Sequence, residues 1–352
     1  MSLDLPLQPP FPPMEAKSAE EVPEGAGWVF EPKWDGFRCL AFRDGDEVYL
    51  QSKAGKPLGR YFPDVVEAFG RLAARRFVLD GELVIPVGGE LSFDALQLRL
   101  HPAASRVAKL AAATPGGFVA FDLLVDEEGR SLVEEPQAAR RAALEAFAER
   151  CFPAVEGMRL TPATADRERA VGWLTSPTSS LDGVIAKRAD EPYLSGEREG
   201  MVKVKKLRTA DCVVGGFRYA SSGRVVGSLL LGLYGDDGKL HHVGFTSSFD
   251  QAARRELTKR LEALRDGAAG EIGFSGNAPG GPSRWSTERS AEWEALPPEL
   301  VVEVLYDHWS GGRFRHGTRL LRFRPDKAPE QCGFDQVPGG ARLEEALAFA
   351  GR

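Results

Sequence analysis

The residues best suited to chemistry in this 352-residue chain are a lysine, an aspartate and an arginine close to the N-terminus. Lys33, Asp35 and Arg38 form the pattern K-x-D-G-x-R, with apolar residues on both sides. A lysine held beside other charges can have its pKa lowered, and a neutral lysine is a nucleophile. The pattern predicts a charged loop between two half-buried strands, with Lys33 as nucleophile. For this motif alone, a surface loop with a salt bridge is the alternative.

Two candidate core strands carry polar side chains inside apolar runs. Asp80 and Glu82 interrupt the first, residues 77–86, and Phe121 precedes an acid in the second, residues 118–124. Buried carboxylates are costly without partners, so the first strand predicts a lined cavity. A bulge at a strand edge explains the two acids equally well.

Basic residues recur at two-residue spacing further along the chain. Lys203 and Lys205 alternate with apolar residues, which places both lysines on one face of a predicted strand. That face is either a solvated edge or a surface aimed at an anion. Asp182 and Lys187 bound the earlier segment D-G-V-I-A-K. The pattern R-x-R-x-D-K ends a later basic strand and contributes Arg322, Arg324, Asp326 and Lys327.

Composition places the chain among globular proteins of about two domains. The net charge of −6 argues against a non-specific nucleic-acid coat but permits a local basic groove. The N-terminus has no signal-peptide pattern, and no apolar run approaches the roughly 20 residues that cross a bilayer. We therefore expect a cytoplasmic protein. The cysteines and histidines lack metal-ligand spacing, so neither a zinc site nor a disulfide framework is expected.

The elements that position these residues fall into two parts. Prolines make residues 1–25 an extended arm. Helices are predicted at 64–75 with Asp64 as N-cap, at 92–110 with a break near His101-Pro102, at 135–150, at 164–173, at 249–265 and at 341–350. Near residue 209, short strands begin to alternate with glycine turns, which favours a small OB-type barrel. Residues 267–287 are predicted to form a long loop.

In chain order, these motifs resemble the series found in covalent nucleotidyltransferases, specifically the ATP-dependent DNA ligases. The resemblance covers residues 28–330 and includes K-x-D-G-x-R, D-G-E, F-D, D-G-V-I-A-K, K-x-K and R-x-R-x-D-K. It implies an α+β fold, with an adenylation (nucleotidyltransferase) domain of antiparallel sheets and helices at 1–208. An OB-fold β-barrel at 209–330 and a tail at 331–352 would follow. The layout is most similar to the small bacterial stand-alone repair ligases of the LigC type.

The resemblance also implies a reaction and a role for each motif residue. Lysine takes AMP from ATP, AMP passes to the 5′-phosphate of a nick, and the 3′-hydroxyl then displaces AMP. Implied catalytic residues are Lys33, Asp35, Lys203 and Lys205. Implied ATP or AMP contacts are Glu31, Arg38, Glu82, Phe121, Lys187, Arg322, Arg324, Asp326 and Lys327. Implied DNA contacts are Ser52 and Lys53, and implied metal ligands are Asp182 and Glu82.

Implied cofactors are ATP and Mg2+ or Mn2+, and the implied partner is nicked double-stranded DNA, with other DNA repair proteins alongside. We expect a monomer that acts on the nucleoid and does not bind membranes. The family usually has glutamate in place of Asp182, arginine in place of Lys53 and tryptophan in place of Met201. An RNA ligase, an RNA-capping guanylyltransferase and a non-catalytic nick-binding scaffold are the alternatives.

Overall fold

The computed structural model describes residues 3–88, 90–175, 181–221, 223–250, 252–268, 270, 272–280, 292–337 and 347–348. These residues form two compact units, which divide between Lys206 and Leu207. Each unit has its own hydrophobic core. A chain of this length is expected to divide in this way.

The first unit packs helices against mainly antiparallel sheets. Its strands are β1 (Lys17–Ala19), β2 (Trp28–Trp34), β3 (Phe37–Asp44), β4 (Glu47–Ser52), β5 (Arg76–Val84), β6 (Pro86–Val87), β7 (Glu90–Leu91), β8 (Gly117–Val125), β9 (Met158–Leu160), β10 (Leu181–Arg188) and β11 (Met201–Lys205). Its helices are α1 (Pro63–Arg71), α2 (Phe93–Arg99), α3 (Ala104–Ala113), α4 (Gln137–Cys151) and α5 (Arg167–Thr175). The break predicted at His101-Pro102 is confirmed, because α2 and α3 flank it.

Two sheets of the first unit carry the motif residues. One has the strand order β4–β3–β5–β8–β9 and the other has the order β1–β11–β10–β2. Arg38 lies opposite Glu82 across β3 and β5, and Lys33 lies opposite Gly183 across β2 and β10. Strand register therefore makes neighbours of residues that are far apart in the sequence.

Aromatic side chains fix the first of these sheets against its helices. The ring centre of Phe69 in α1 is 5.0 Å from that of Phe118 in β8. The ring centre of Phe77 in β5 is 5.3 Å from that of Phe147 in α4. All four rings are buried, and burying each contributes roughly 1.5–3 kcal/mol. This core holds β5 and β8 in place, and those strands carry Glu82 and Phe121.

The N-terminal arm contains a strand that we did not predict. Strand β1 pairs in parallel with β11, with Lys17 opposite Val202. Pro13 and Pro23 bound a proline-free stretch, whose backbone N–H groups remain available for pairing. Met14 is buried within that stretch.

The prediction that Asp64 caps α1 is wrong. The helix begins at Pro63, and its N-cap residue Phe62 makes no side-chain cap. Proline suits the first helical position because no N–H is needed there. Asp64 instead accepts hydrogen bonds of 3.0 and 2.8 Å from Arg99 and one of 2.7 Å from the Gly116 backbone.

The second unit is built mainly of antiparallel strands. They are β12 (Arg208–Tyr219), β13 (Val226–Tyr234), β14 (Leu240–Thr246), β15 (Glu294–Ala295), β16 (Val301–Tyr306), β17 (Trp309–Ser310), β18 (Arg313–Phe314) and β19 (Arg319–Phe323). Helix α6 (Ala253–Asp266) and two 3-10 turns, Pro329–Gln331 and Phe334–Gln336, accompany them. The main sheet has the order β14–β13–β12–β16–β19, with β15 paired to β12.

The strand order of the second unit is OB-like. A single bridge from Thr246 to Thr318 brings β14 close to the start of β19. The described residues contain no continuous ladder that closes the sheet, so the closed barrel we expected is not observed in them. Cys332 is buried in this unit's core, with Phe334 and Val337 packed against it, although the sequence had assigned them to a tail.

Some predicted features fall on residues that the structure does not describe. The helix at 341–350 lies outside the described residues except for residues 347 and 348, as does part of the predicted loop at 267–287. Among the described residues, no helix combines the length and apolarity that crossing a membrane requires.

The pair formed by Asp64 and Arg99 predicts a pH-dependent stability. Arg99 is fully buried, and hydrogen bonds from Arg99 and Gly116 lower the pKa of Asp64 against the opposing effect of burial. Because folding lowers the pKa of Asp64, the Asp64 carboxylate stabilises the fold at pH values above its ordinary pKa of 3.8. This stabilisation is lost as the pH falls through the folded-state pKa. We expect Asp64→Asn to cost roughly 3 kcal/mol at pH 7 in urea unfolding, because it leaves Arg99 buried without its counter-charge.

Below pH 3.8 the difference in the free energy of unfolding between Asp64→Asn and the wild type should become smaller. Glu67→Gln is the matched control from the same helix, since Glu67 is 73% exposed and pairs only loosely with Arg71. It should change stability at pH 7 by less than about 1 kcal/mol. A cost for Asp64→Asn that matches the control, or that does not change with pH, would contradict the prediction.

Candidate active site

One cavity of the first unit brings together most of the predicted site residues. Its volume is ≈ 640 Å³, which is within the usual range for small-molecule sites. The predicted residues that line it are Glu31, Lys33, Arg38, Ser52, Lys53, Glu82, Phe121, Lys187 and Lys203. Asp182 joins them through its contact with Lys33.

Lys33 lies in strand β2, although we had predicted it in a loop. Pairing between β2 and β10 continues through Lys33 to Trp34, which extends the strand past the lysine. The Trp34 side chain is buried, and its indole N–H donates a hydrogen bond of 2.9 Å to Oγ1 of Thr161. The lysine side chain therefore enters the cavity from a backbone that is fixed on both sides.

The Lys33 ammonium donates a hydrogen bond to the Asp182 carboxylate, and both groups are partly shielded from solvent. Burial disfavours the charged amine, but the charge of Asp182 and its hydrogen bond with Lys33, with smaller contributions from other nearby acids, outweigh burial and raise the pKa of Lys33. The lowered pKa that we predicted is therefore wrong for this arrangement. With Asp182 beside it, Lys33 holds its proton more tightly than an ordinary lysine.

Two glycines allow the strands around Lys33 to approach closely. A Cβ atom on Gly36 would lie 2.2 Å from the carbonyl oxygen of Leu83 and 2.7 Å from Cγ of Glu82. Gly183 has a φ of +147°, and a Cβ there would lie 2.0 Å from the carbonyl oxygen of Val204. A side chain at either position would push the site apart, which explains the glycine in both D-G motifs.

Glu82 faces the cavity beside both Lys33 and Arg38. Burial raises the pKa of Glu82 to about 8, and the two cations only partly oppose this effect. The carboxyl group is therefore largely protonated at neutral pH in the absence of other ligands.

A buried acid behind the cavity holds Arg38 in place. Nε and Nη2 of Arg38 donate to the two oxygens of Asp80, at 3.0 and 2.6 Å. The Tyr193 hydroxyl donates a third hydrogen bond to Asp80, at 2.7 Å. The sequence marked Asp80 as an unusual buried acid, but Tyr193 lies 113 residues away in a loop without any motif.

The opposite part of the cavity carries a second buried ion pair. Nζ of Lys187 lies 3.0 and 2.9 Å from the two oxygens of Glu31 and donates to the carbonyl oxygen of Phe121 at 2.9 Å. Burial raises the pKa of Glu31 despite the charges of Lys187 and Arg141. No motif pointed to Arg141, which helix α4 supplies. The ammonium of Lys187 and the guanidinium of Arg38 lie 5.1 and 5.2 Å from the Phe121 ring centre.

Strand β11 contributes positive charge. Lys203 lines the cavity, whereas Lys205, two residues further on, is exposed. Burial and the nearby charges of Lys53, Lys33 and Lys205 lower the pKa of Lys203. Cations that repel one another in this way make a favourable environment for phosphate.

The remaining predicted residues belong to the second unit. The Asp211 carboxylate accepts hydrogen bonds of 3.0 and 3.1 Å from Arg324 and one of 2.8 Å from Lys327. Gln336 fixes the backbone of Asp211, accepting from its N–H at 3.0 Å and donating to its carbonyl at 3.2 Å. A single carboxylate thus holds two of the predicted phosphate ligands.

The other two motif residues of the second unit are also paired. Nη2 of Arg324 donates to Asp326 at 2.9 Å, and this bond lowers the pKa of Asp326 to about 2. Arg322 donates to Glu303 at 2.6 Å across β16 and β19.

Comparison with known proteins assigns the family. Residues 13–205 match the family described as "ATP dependent DNA ligase domain", and residues 222–327 match "ATP dependent DNA ligase C terminal region". The chain belongs to the ATP-dependent DNA ligase family. The predicted resemblance is confirmed at this level, and the assignment favours DNA ligation over RNA ligation, capping and a non-catalytic scaffold.

Individual ligases match nearly the whole chain. DNA ligase C1 of Mycolicibacterium smegmatis is 48% identical over 349 residues, which cover 95% of this chain and 96% of the relative. DNA ligase C of Mycobacterium tuberculosis is 43% identical over 350 residues, with the same coverage of 95% and 96%. A solved structure from a study of Lig E DNA ligases shares the fold, with a TM-score of 0.51 and 16% identity over 89% of this chain and 99% of that one.

The raised pKa of Glu82 predicts how stability responds to pH in metal-free buffer containing a chelator. A carboxyl whose pKa rises from 4.5 to about 8 on folding contributes fully below pH 4.5, and this contribution is lost as the pH rises to about 8. Glu82→Gln has no such proton to lose. In urea unfolding, the free energy of unfolding of the variant should rise relative to that of the wild type by roughly 1–3 kcal/mol between pH 4.5 and 8. At higher pH the difference in the free energy of unfolding should stay constant. A gap that is flat across this range would contradict the prediction.

Proposed function

We propose that this protein uses ATP to seal nicks between a 5′-phosphate and a 3′-hydroxyl in duplex DNA, through an AMP adduct on Lys33. Family membership gives the reaction class. One observation carries the assignment of residues: a strand-held lysine, ion-paired to Asp182, enters the same cavity as Glu31, Glu82 and Lys203. One site thereby offers a nucleophile in Lys33, a base contact in Glu31, a ribose contact in Glu82 and a phosphate contact in Lys203.

In the first step, Nζ of Lys33 forms a bond to the α-phosphorus of ATP. The bond from that phosphorus to the bridging oxygen breaks, and pyrophosphate leaves. The attacking amine must be neutral, so Lys33 first passes a proton to the Asp182 carboxylate, its hydrogen-bond partner, and from there to solvent. The charge of Asp182 is the largest attraction that holds this proton, so movement or neutralisation of Asp182 makes the proton easier to lose. A ligand that moves or neutralises Asp182 on binding thereby makes Lys33 a better nucleophile. Lys203 and Lys205 stabilise the negative charge that accumulates on the phosphate.

The other cavity residues position the nucleotide. Phe121 offers a flat apolar face for the purine, and Glu31 offers carboxylate oxygens for the adenine amino group. Lys187 holds Glu31 in orientation through its paired contacts. At the sugar, Arg38 and Glu82 contact the ribose hydroxyls. The two hydrogen bonds that Arg38 donates to Asp80 keep its guanidinium in this orientation.

Asp182 and Glu82 suit a hard divalent cation, Mg2+ or Mn2+. Among the described residues, no three His, Cys, Asp or Glu side chains form a ready-made metal cage. Mg2+ usually binds one or two carboxylates and takes its other ligands from substrate phosphates and water, which is consistent with this pair of acids. When bound, such a cation neutralises phosphate charge and competes with Lys33 for Asp182.

In the second step, an oxygen of the nick 5′-phosphate attacks the phosphorus of the lysyl adduct, and Lys33 leaves. In the third step, the 3′-hydroxyl attacks the adenylated 5′-phosphate and loses its proton to solvent. The new phosphodiester bond forms, the bond from that phosphorus to the oxygen shared with AMP breaks, and AMP departs. Ser52 and Lys53 line the cavity at the end of β4, and we assign them contacts to the phosphates at the nick.

In the second unit, Arg322, Arg324, Asp326 and Lys327 serve the first step by orienting the leaving pyrophosphate. Their close pairing with Asp211 and Glu303 orders these long side chains before substrate arrives. In this proposal, the first unit, predicted as residues 1–208, is the adenylation domain; the second unit, predicted as residues 209–330 and extended by Cys332, Phe334 and Val337, is the OB-like domain.

Repair of chromosomal nicks is the cellular role that we propose. It is supported by the similarity to DNA ligases C and, at 33% identity over 86% of this chain, to a protein named Multifunctional non-homologous end joining DNA repair protein LigD. The protein would work as a monomer at the nucleoid in the cytoplasm, on nicks left by other repair proteins.

Lys33→Ala tests the acceptor. With ATP labelled at the α-phosphate and a divalent metal ion, the wild type should carry label after denaturing electrophoresis, and its mass should rise by one AMP. The variant should lose labelling and ATP-dependent sealing by at least about 1000-fold, because no other group supplies the nucleophile.

Lys17→Ala is the matched control, because Lys17 is 55% exposed and pairs with Glu199. It should label like the wild type. Label on Lys33→Ala, or a peptide map that places AMP on another lysine, would refute the assignment.

A further inference from the structure

Glu15 in the N-terminal arm lines the proposed nucleotide cavity and contacts two cations. Its Oε2 lies 3.1 Å from Nζ of Lys53 and 3.3 Å from Nη2 of Arg198. The hydrogen bond from Lys53 lowers the pKa of Glu15 against the effect of burial. At neutral pH this is therefore an anion shared between two cations.

The backbone that carries Glu15 is held in place. Its N–H donates to the carbonyl of Glu197 at 2.7 Å, and the N–H of Met14 donates to the Tyr193 hydroxyl at 3.0 Å. Earlier in the arm, Phe11 and Gln51 exchange two hydrogen bonds of 2.9 and 2.7 Å. The Glu15 side chain can therefore leave its partners by rotating while the arm stays in position.

Several cations lie close to one another on this side of the cavity. The charges of Lys53, Lys33, Lys205 and Arg198 all lower the pKa of nearby Lys203, in addition to the effect of burial. Clustered cations of this kind attract an anion of higher charge than a carboxylate.

The ion pairs that Glu15 makes with Lys53 and Arg198 are also easily replaced by another anion. The Lys53 and Arg198 side chains are 54% and 67% exposed, and exposed ion pairs are weak. Phosphate offers more acceptor oxygens than a carboxylate, and its bonds to arginine and lysine are charge-assisted. A phosphate that arrives can therefore replace Glu15 without a large penalty.

We propose that Lys53 and Arg198 together form a binding site for a backbone phosphate of nicked DNA, and that Glu15 occupies this site when DNA is absent. The inference deepens the proposed function and rests on it. It assigns a role to Arg198 and makes Glu15 an internal competitor of the DNA. Glu15 thereby reduces the affinity for DNA phosphates in general and favours substrates that bring further contacts.

Glu15→Gln tests the competition, with Glu199→Gln as the matched control. Glu199 is 62% exposed and pairs with Lys17, so the control makes the same change in net charge without releasing Lys53 or Arg198. Fluorescence anisotropy with nicked duplex DNA, without ATP, should show that Glu15→Gln binds about 3- to 10-fold more tightly than the control at low salt. The slope of log affinity against log salt should steepen by about 1, because a freed cation releases a further counterion from the DNA.

Arg198→Ala tests the site from the cation side and remains informative if Glu15→Gln folds poorly. Arg198 is exposed, so this variant should keep the wild-type melting temperature. It should bind nicked DNA about 3- to 10-fold more weakly than the wild type, with a shallower salt slope. In the Glu15→Gln/Arg198→Ala double variant, much of the gain from Glu15→Gln should be lost.

Two results would overturn the proposal: Glu15→Gln binding DNA no more tightly than Glu199→Gln, or Arg198→Ala binding DNA as tightly as the wild type.

The KM for ATP in the labelling reaction shows whether the site binds a phosphate of the nucleotide or a phosphate of DNA. A change in KM without a change in DNA affinity would assign the site to the nucleotide and overturn the DNA assignment. Because DNA binding is measured without ATP, it remains interpretable if labelling of Lys33 fails, which would instead refute the proposed function.

Discussion

The ion pair between Lys33 and Asp182 is the interaction on which the candidate site depends. It joins residues 149 positions apart, and it exists because β2 and β10 pair with Lys33 opposite Gly183. The same sheet continues to β11, which brings Lys203 to the cavity. The other sheet supplies Arg38, Glu82 and Phe121. A small error in the register of either sheet would turn these side chains to the wrong face and dismantle the site.

A network of buried charges behind the cavity gives the site its rigidity. Asp122 accepts two hydrogen bonds from Arg140, at 2.9 and 3.1 Å, and Asp80 accepts from both Arg38 and Tyr193. Burying these ions is expensive, and hydrophobic replacements are often at least as stable. What a satisfied network provides is fixed geometry, since none of its members can move without leaving a buried charge unpaired. The fold therefore accepts a cost in stability next to the candidate site, and this cost accompanies a preorganised geometry.

Sequence reasoning found many of the charged residues that line the cavity because motif chemistry depends on residue type and on order along the chain. It was less successful with properties that depend on the surroundings. The raised pKa of Lys33 results from Asp182, whose proximity follows from strand pairing alone. Asp64 had the sequence context of a helix cap but found a better partner in Arg99. Tyr193 and Glu15 come from segments without a motif, so only the folded chain reveals that they belong to the site.

The protonated state of Lys33 has a consequence for chemical selectivity. Cells contain acyl phosphates, thioesters and aldehydes that modify neutral amines without enzymes. An ammonium ion has no lone pair to offer them, so a lysine with a raised pKa reacts more slowly than an ordinary surface lysine. The proposed AMP acceptor is thereby less reactive toward other electrophiles while Asp182 stays beside it. The ion pair with Asp182 thus makes the Lys33 amine a poorer nucleophile toward these compounds than an unpaired lysine.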